Sequence, residues 1–418
     1  MRDVIYDVAI VGGGLAGLSA AVQSSTAGLK TILLEASDDI GGKLRTDRDE
    51  QGFQYDRGFQ VCFTGYEELK HFGNWSAVPE GDWQFYSSGA TIAGMGTLSK
   101  WNLLRSLTCK AISPIDLPRL LSLNLRARKW ESESTSGTVR EFLLGFGFSE
   151  STVERFFAPF YGGISLDRTL GGSSRQFLKT WHFLSIGRTA TFSGGISGLV
   201  HAIDHAWAFD DPNTSPTVEV NRIVTRLNRV DDIYAISADT EYLGRSVVIA
   251  GGHGAVAQLL GQTQQTEYKQ SICLYFASNR PVTKEKYIIL NPAKDALINQ
   301  LVPLSNVNPA CTPKGKHLCS ATIIGDWSES DEELAQMAIN EMNTWGMNLP
   351  PLEFKKAYRI KEAQLLQEPG FEDRVPSIET HLPGVFLAGE MTTSSSINDA
   401  LKSGRLAAEA ALAYLKNK

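Results

Sequence analysis

Three glycines and one acid carry the first chemical signal in this 418-residue chain. Gly12, Gly14 and Gly17 are spaced G-x-G-x-x-G, with Gly13, Leu15 and Ala16 filling the intervals, and Glu35 follows 18 residues later. This spacing suits a dinucleotide pyrophosphate. Gly12 permits a tight turn, Gly14 lets the backbone approach the phosphates, and Gly17 lets a helix pack close to the strand before it. The unbonded N–H groups at that helix start, and its macrodipole, favour an anion. Glu35 is a carboxylate placed to hydrogen-bond a pair of ribose hydroxyls.

Such residues need elements to hold them. Ile5 and Val8 to Val11 are nearly all apolar, which predicts a strand buried on both faces of a parallel sheet. Leu18 to Val22 continues as a small-residue helix. Thr31 to Leu34 predicts a second strand ending at Glu35. Strand, glycines, helix, strand and acid in this order make the motif far stronger than its glycines alone.

Composition bounds the rest. The length calls for two domains. An apolar share of 42% with 21% charged residues is that of a globular protein. A net charge of −6 argues against nucleic acid as a partner. Five scattered cysteines without C-x-x-C suit structural thiols in a reducing compartment and give no zinc site. No 18-residue apolar run is present, and the first strand starts within about four residues of Met1, leaving no room for a leader. The expectation is a cytoplasmic protein.

A second block follows the first. E-A-x-x-x-x-G-G-K-x-R-T runs from Glu35 and Ala36 through Gly41, Gly42, Lys43 and Arg45 to Thr46, and a short strand then ends in Asp56, Gly58, Phe59 and Gln60. The glycine pair offers another place for backbone to lie against a ligand, with Lys43 and Arg45 as local cations. This pattern resembles the FAD-binding half of the flavin amine oxidase, phytoene desaturase and protoporphyrinogen oxidase superfamily. Lys43 stands where that family usually has arginine.

The far end carries the same resemblance. Pro383 to Glu390 reads as a strand ending in Gly389-Glu390, followed by a serine-rich turn and a helix through Arg405 to Leu415. The resemblance implies that Gly389 and Glu390 lie by the ribityl chain and pyrophosphate. A helix beginning near Ser396, with Ile397 and Ala400 in its first turn, would aim its free N–H groups at the flavin, where reduced flavin carries negative charge. Asp399 replaces a residue that is usually small. Between the two ends, residues 218–252 read as a β-meander returning to the nucleotide sheet. Val224 within it matches the family residue that packs on adenine; from the residues alone it is a core valine.

The fold class implied is α/β, with a Rossmann-like FAD-binding domain of mostly parallel sheet plus a β-meander, and a second α+β substrate domain. The expected division is 1–75, 215–262 and 378–418 for FAD, and 76–214 and 263–377 for substrate. Residues 140–205 look helical, closing on a Gly-Gly turn.

The function implied is FAD-dependent hydride removal from a small apolar substrate of carotenoid, porphyrinogen or terpenoid kind, with oxygen or a quinone as acceptor. A noncovalent amine oxidase, a redox-neutral flavin isomerase or mutase, and a non-enzymatic flavoprotein are the alternatives. The last cysteine is Cys319, so the closing motif has no thiol for a covalent flavin link. No residue is singled out as catalytic. His201 and His205, four apart, and His182 offer a metal pair or relay without a third ligand, so they read as helix surface and no metal is expected. Residues 99–130 are basic and leucine-rich. They read either as two amphipathic helices split by Pro114 and Pro118 with solvated cationic faces, or as a peripheral contact with an anionic membrane.

Overall fold

Strands that are apolar on both faces can be covered only by helices on both sides, and this governs the first sheet. The computed structural model describes residues 4–71, 83–99, 106, 108–133, 135–208, 215–261 and 267–418. The first sheet runs in the order Thr217–Glu219, Thr31–Leu34, Ile5–Val11, Glu241–Ile249, Ile233–Ser237, Arg226–Val230, and Val385–Leu387 also pairs with Glu241–Ile249. The last two strands of that path form an antiparallel meander with Glu241–Ile249, and the remaining pairings are parallel. Val8 and Ile10 point to one face, where Leu18 of the helix Leu15–Thr26 and Leu401 and Ala407 of the helix Ile397–Lys416 cover them. Ala9 and Val11 point to the other, against Val224, Val256 and Leu260.

The two covering helices lock chain ends far apart in sequence. Ser19 donates its hydroxyl to the Leu401 carbonyl at 2.6 Å. Gly404 lies so close that a Cβ there would stand 2.0 Å from the Ala16 oxygen. A single added methyl would force them apart. The second of these helices begins at Ile397, as expected of a helix starting near Ser396, and Ser396 accepts the Asp399 N–H as its N-cap.

A second sheet runs in the order Glu353–Leu365, Tyr268–Ser278, His317–Ile324, Ile298–Val302, Ile288–Leu290, Gly89–Ile92, Gly96–Ser99. Its long strands alternate. Ile272, Leu274, Phe276, Ala321 and Ile323 pack under the helix Asp331–Asn343. Ser271, Cys273 and Thr322, on the opposite face, border the cavity described below.

Residues 139–208 are mainly helical, as the helices Val139–Gly145, Ala158–Ser165, Ser174–Ile186 and Ser197–Ala208 with a π-helical turn at Val153–Phe157. The sequence reading missed a strand there, Thr189–Phe192, which pairs with Cys62–Phe63 and Trp83–Phe85. Two threonines and a phenylalanine favour extended backbone, and Gly194 and Gly195 turn the chain after it. The helix Ser197–Ala208 packs on the first sheet's helical layer through Leu199, Val200 and Ile203.

Pro114 and Pro118 each occupy the first turn of an element, the 3₁₀ turn Pro114–Asp116 and the helix Leu117–Ala127, and the helix expected before them falls largely outside the described residues. Residues 100–105 and 107 of the basic segment, and Trp75, lie outside the described residues.

Candidate functional site

Between the two sheets and the helical block lies a cavity of about 1030 Å³, and the glycine turn stands at one end of it. The three motif glycines have three separate tasks. Gly12 adopts φ +109°, and a Cβ there would meet the Ala250 backbone at 2.9 Å. Gly17 sits behind the turn, where a Cβ would be 1.9 Å from the Gly12 oxygen. A Cβ on Gly14 would meet only the Gly42 Cα at 3.9 Å, so backbone alone faces the open cavity. The helix that follows has no side-chain cap, which leaves the first N–H groups, at Leu15 and Ala16, for a ligand.

Glu35 braces this turn as well as facing the cavity. One carboxylate oxygen accepts the Gly13 N–H at 2.6 Å, and the other accepts the Ser37 N–H at 2.8 Å and its hydroxyl at 2.7 Å. The oxygen that accepts from Gly13 keeps a second lone pair for a ribose hydroxyl. Ala36 and Val224 line the cavity beside it. Gly13 and Gly17 do not line it; they shape the turn from behind.

The second glycine pair folds over the first. Gly41 donates its N–H to the Gly13 carbonyl at 2.7 Å, and Gly42, at φ +58°, lies against Gly14. Lys43 is not a lone cation: it pairs with Glu390 at 2.5 Å and lies over the Tyr268 ring. Arg45 is likewise held by Asp38 at 2.8 Å. Gly58, Phe59 and Gln60 border the cavity, and Gln60 donates to the Lys43 carbonyl at 2.9 Å. Gly389, Glu390, Ser396, Ile397 and Ala400 line it from the far end of the chain.

Asp399, the unusual acid of that region, is buried and fully partnered. It accepts from Ser394 and, at 2.9 Å, from Ser396. The Lys179 ammonium donates to both of its oxygens, to Oδ2 at 2.6 Å. Lys179 comes from the helix Ser174–Ile186, so the ion pair joins the helical block to the start of the helix Ile397–Lys416. It puts a neutralised acid, rather than a bare one, beside the cavity.

Other residues were not legible as site residues. His253, at the first turn of the helix His253–Leu260, shares a 2.6 Å hydrogen bond with the Tyr268 hydroxyl, and burial lowers its pKa so that the imidazole is neutral at pH 7. Tyr161, Ile164, Phe183, Ile360 and Leu365 wall the inner half of the cavity, while Ser271, Gln300 and Thr322 form part of its floor. The Ser-Ile-Cys-Leu-Tyr-Phe alternation at 271–276 was a signal for a two-faced strand, but only the topology shows which face meets the cavity. Of the aromatic residues in the helical block, Phe156, Phe157, Phe160 and Trp181 pack together as core. His201 and His205 are exposed on their helix, and no group of three metal-ligating side chains occurs among the described residues.

A family model described as flavin containing amine oxidoreductase matches residues 15–412. The chain belongs to this family. The family is one of flavin-containing oxidoreductases, and the stretch shared with the curated relatives covers only 14% of their length. The bare Gly14 backbone, the uncapped helix start and the Glu35 carboxylate fit the pyrophosphate and ribose of FAD. A 15-cis-phytoene desaturase of Arabidopsis thaliana is 40% identical over 81 residues, a stretch covering 19% of this chain and 14% of the desaturase. The solved structures show the fold alone. A proposed protoporphyrinogen oxidase from Exiguobacterium sp. 255-15 superposes with a TM-score of 0.72 at 18% identity, covering 100% of this chain and 99% of that one. Putrescine oxidase gives 0.72 at 14% identity, with 99% and 100% covered. Reduced UDP-galactopyranose mutase gives 0.67 at 15%, with 98% and 96% covered.

Proposed function

We propose that this flavoenzyme dehydrogenates a small, largely apolar substrate held in the inner half of the cavity. The observation that carries the reading is the wall of Tyr161, Ile164, Phe183, Ile360 and Leu365, continuous with the groove that begins at Gly14. When bound, FAD supplies an acceptor for two electrons and one proton. The protein's own part is to position the substrate and exclude water, which apolar walls do by burying its skeleton. Oxygen or a quinone is the proposed electron acceptor.

The residue division is also a proposal: 1–75, 215–262 and 378–418 bind FAD, and 76–214 and 263–377 form the substrate unit. The packing of Leu199, Val200 and Ile203 favours moving the helix Ser197–Ala208 to the first unit.

The test is an absorbance spectrum of the purified protein, then an anaerobic screen of apolar substrates for flavin bleaching. Stoichiometric FAD and bleaching by a terpenoid, porphyrinogen or carotenoid support the reading. FAD that is bleached only by amines would replace it with amine oxidation. Turnover that consumes no acceptor would replace it with a mutase or isomerase.

A further inference from the structure

The floor of the inner cavity is less apolar than its walls, and the hydrogen bonds beneath it fix which polar atoms face outward. Arg168 donates to the Asn299 Oδ1 at 3.1 Å. That oxygen is thereby identified as an acceptor, so the Asn299 amide nitrogen must donate, and it does so to the Pro159 carbonyl at 2.9 Å and to the Gln300 Oε1. Gln300 therefore spends its oxygen on Asn299. Its Nε2 has no hydrogen-bond partner among the described residues and borders the cavity with only 4% of the residue exposed.

Thr322 faces Gln300 in the register of the two strands and is also 4% exposed. Its hydroxyl is buried without a partner and closed off from the cavity, which meets the rest of the residue. Ser271, on the neighbouring strand Tyr268–Ser278, adds a further hydroxyl to the same cavity. Gly163 keeps this arrangement possible, since a Cβ there would stand 2.5 Å from the Asn299 amide nitrogen. The nearby Lys269 ammonium is taken by Asp167 at 3.3 Å and by the Ser165 carbonyl at 3.2 Å. The floor thus offers donors without a spare charge. Leaving such groups unpartnered in a buried site costs stability, so a ligand that satisfies them gains what the empty site loses.

We infer that the Gln300 amide forms a subsite for an uncharged acceptor oxygen, a carbonyl, carried on the apolar substrate. This rests on the reading of the inner cavity as the substrate site. Gln300 then determines specificity by discriminating an oxygenated skeleton from its hydrocarbon.

The test uses the FAD-loaded protein and a matched pair of probes, 1-tetralone and tetralin, whose binding is followed by perturbation of the flavin spectrum. Expected is a fall in the affinity ratio of 1-tetralone over tetralin by about tenfold in Gln300→Leu, with the ratio unchanged in Thr322→Val, whose hydroxyl no probe reaches. Because Thr322→Val replaces an unpartnered hydroxyl by a methyl of the same shape, its Tm without probe should rise by about 1–3 °C. An unchanged ratio in Gln300→Leu, with tetralin still bound, overturns the subsite and leaves the apolar cavity standing. An unchanged ratio with a shifted flavin reduction potential overturns it too, by assigning this donor to the flavin. Failure of both probes to bind the unsubstituted protein brings down the cavity reading and the subsite with it.

Discussion

The two ends of the cavity are built from different material. At the nucleotide end the ligand-facing surface is largely backbone: Gly12, Gly14 and Gly42, two helix starts, and one carboxylate. At the inner end it is side chains from a sheet face and a helix, held by partners such as Asn299 and Asp399. A backbone site tolerates almost no change at its glycines and is indifferent to most neighbours. A side-chain site can be rewritten residue by residue, and this is why one fold serves many substrates.

The largest effect expected from breaking this contrast is at the backbone end. Gly14→Val should give a protein that purifies without FAD, because the side chain fills the space where the phosphates approach. A full flavin spectrum from that variant would contradict the assignment. Lys179→Met tests the side-chain end. It leaves Asp399 buried and unpaired, so unfolding in urea should show a loss of roughly 3–5 kcal/mol. The double replacement with Asp399→Leu should recover most of it; equal losses for single and double variants would show that the pair is not what matters.

Asp56 does not line the cavity but ends the strand Gln54–Asp56 just before Gly58, and its effect is next in size. Its carboxylate accepts from Thr46 at 2.7 Å and from the Ile196 N–H at 2.9 Å, while its carbonyl accepts the Tyr275 hydroxyl at 2.6 Å. Burial pushes its pKa up to about 6, against about 3.9 for a free aspartate. Between these values the folded chain keeps a proton that the unfolded chain has released. Stability from this group therefore falls as pH rises from about 4 to 6 and is level above, by up to about 3 kcal/mol. Asp56→Asn should remove that slope in a series of urea unfolding curves. A slope of the same size in the variant would place its origin elsewhere.

Glu35→Ala should weaken FAD binding by roughly 10- to 100-fold, read by titrating the apoprotein, since it removes both the ribose acceptor and the brace on Gly13. The smallest effect concerns the helix Leu117–Ala127, which shows Leu121 at 68% and Leu125 at 63% exposure beside the exposed Arg126, Arg128 and Lys129. We propose that this face meets an anionic lipid surface. Leu121→Glu with Leu125→Glu should reduce sedimentation with phosphatidylserine-containing vesicles severalfold, and equal sedimentation of both proteins would dismiss it.

The same contrast decides what could be read from the sequence. A glycine that must be a glycine leaves its mark in one letter, so the turn at Gly12 to Gly17, the partner acid Glu35 and the closing Gly389-Glu390 were all visible. Lys179 looked like any surface lysine on an amphipathic helix. Its role depends on Asp399, 220 residues away, and on the packing of the helical block. Gln300 was invisible for the same reason: which of its two amide atoms faces the cavity is set by Arg168 through Asn299. The strand Thr189–Phe192 escaped because four residues between helices give too short a period to recognise.

The seam between the helices Leu15–Thr26 and Ile397–Lys416 has a consequence for the birth of the molecule. A ribosome adding about 5–20 residues each second needs roughly 20–80 s to travel from one helix to the other. Throughout that interval the glycine turn exists without the small-residue helix whose Leu401 and Gly404 close over it. The nascent chain thus carries an uncovered apolar helix for tens of seconds and acquires a finished nucleotide cradle only when synthesis has passed Gly404.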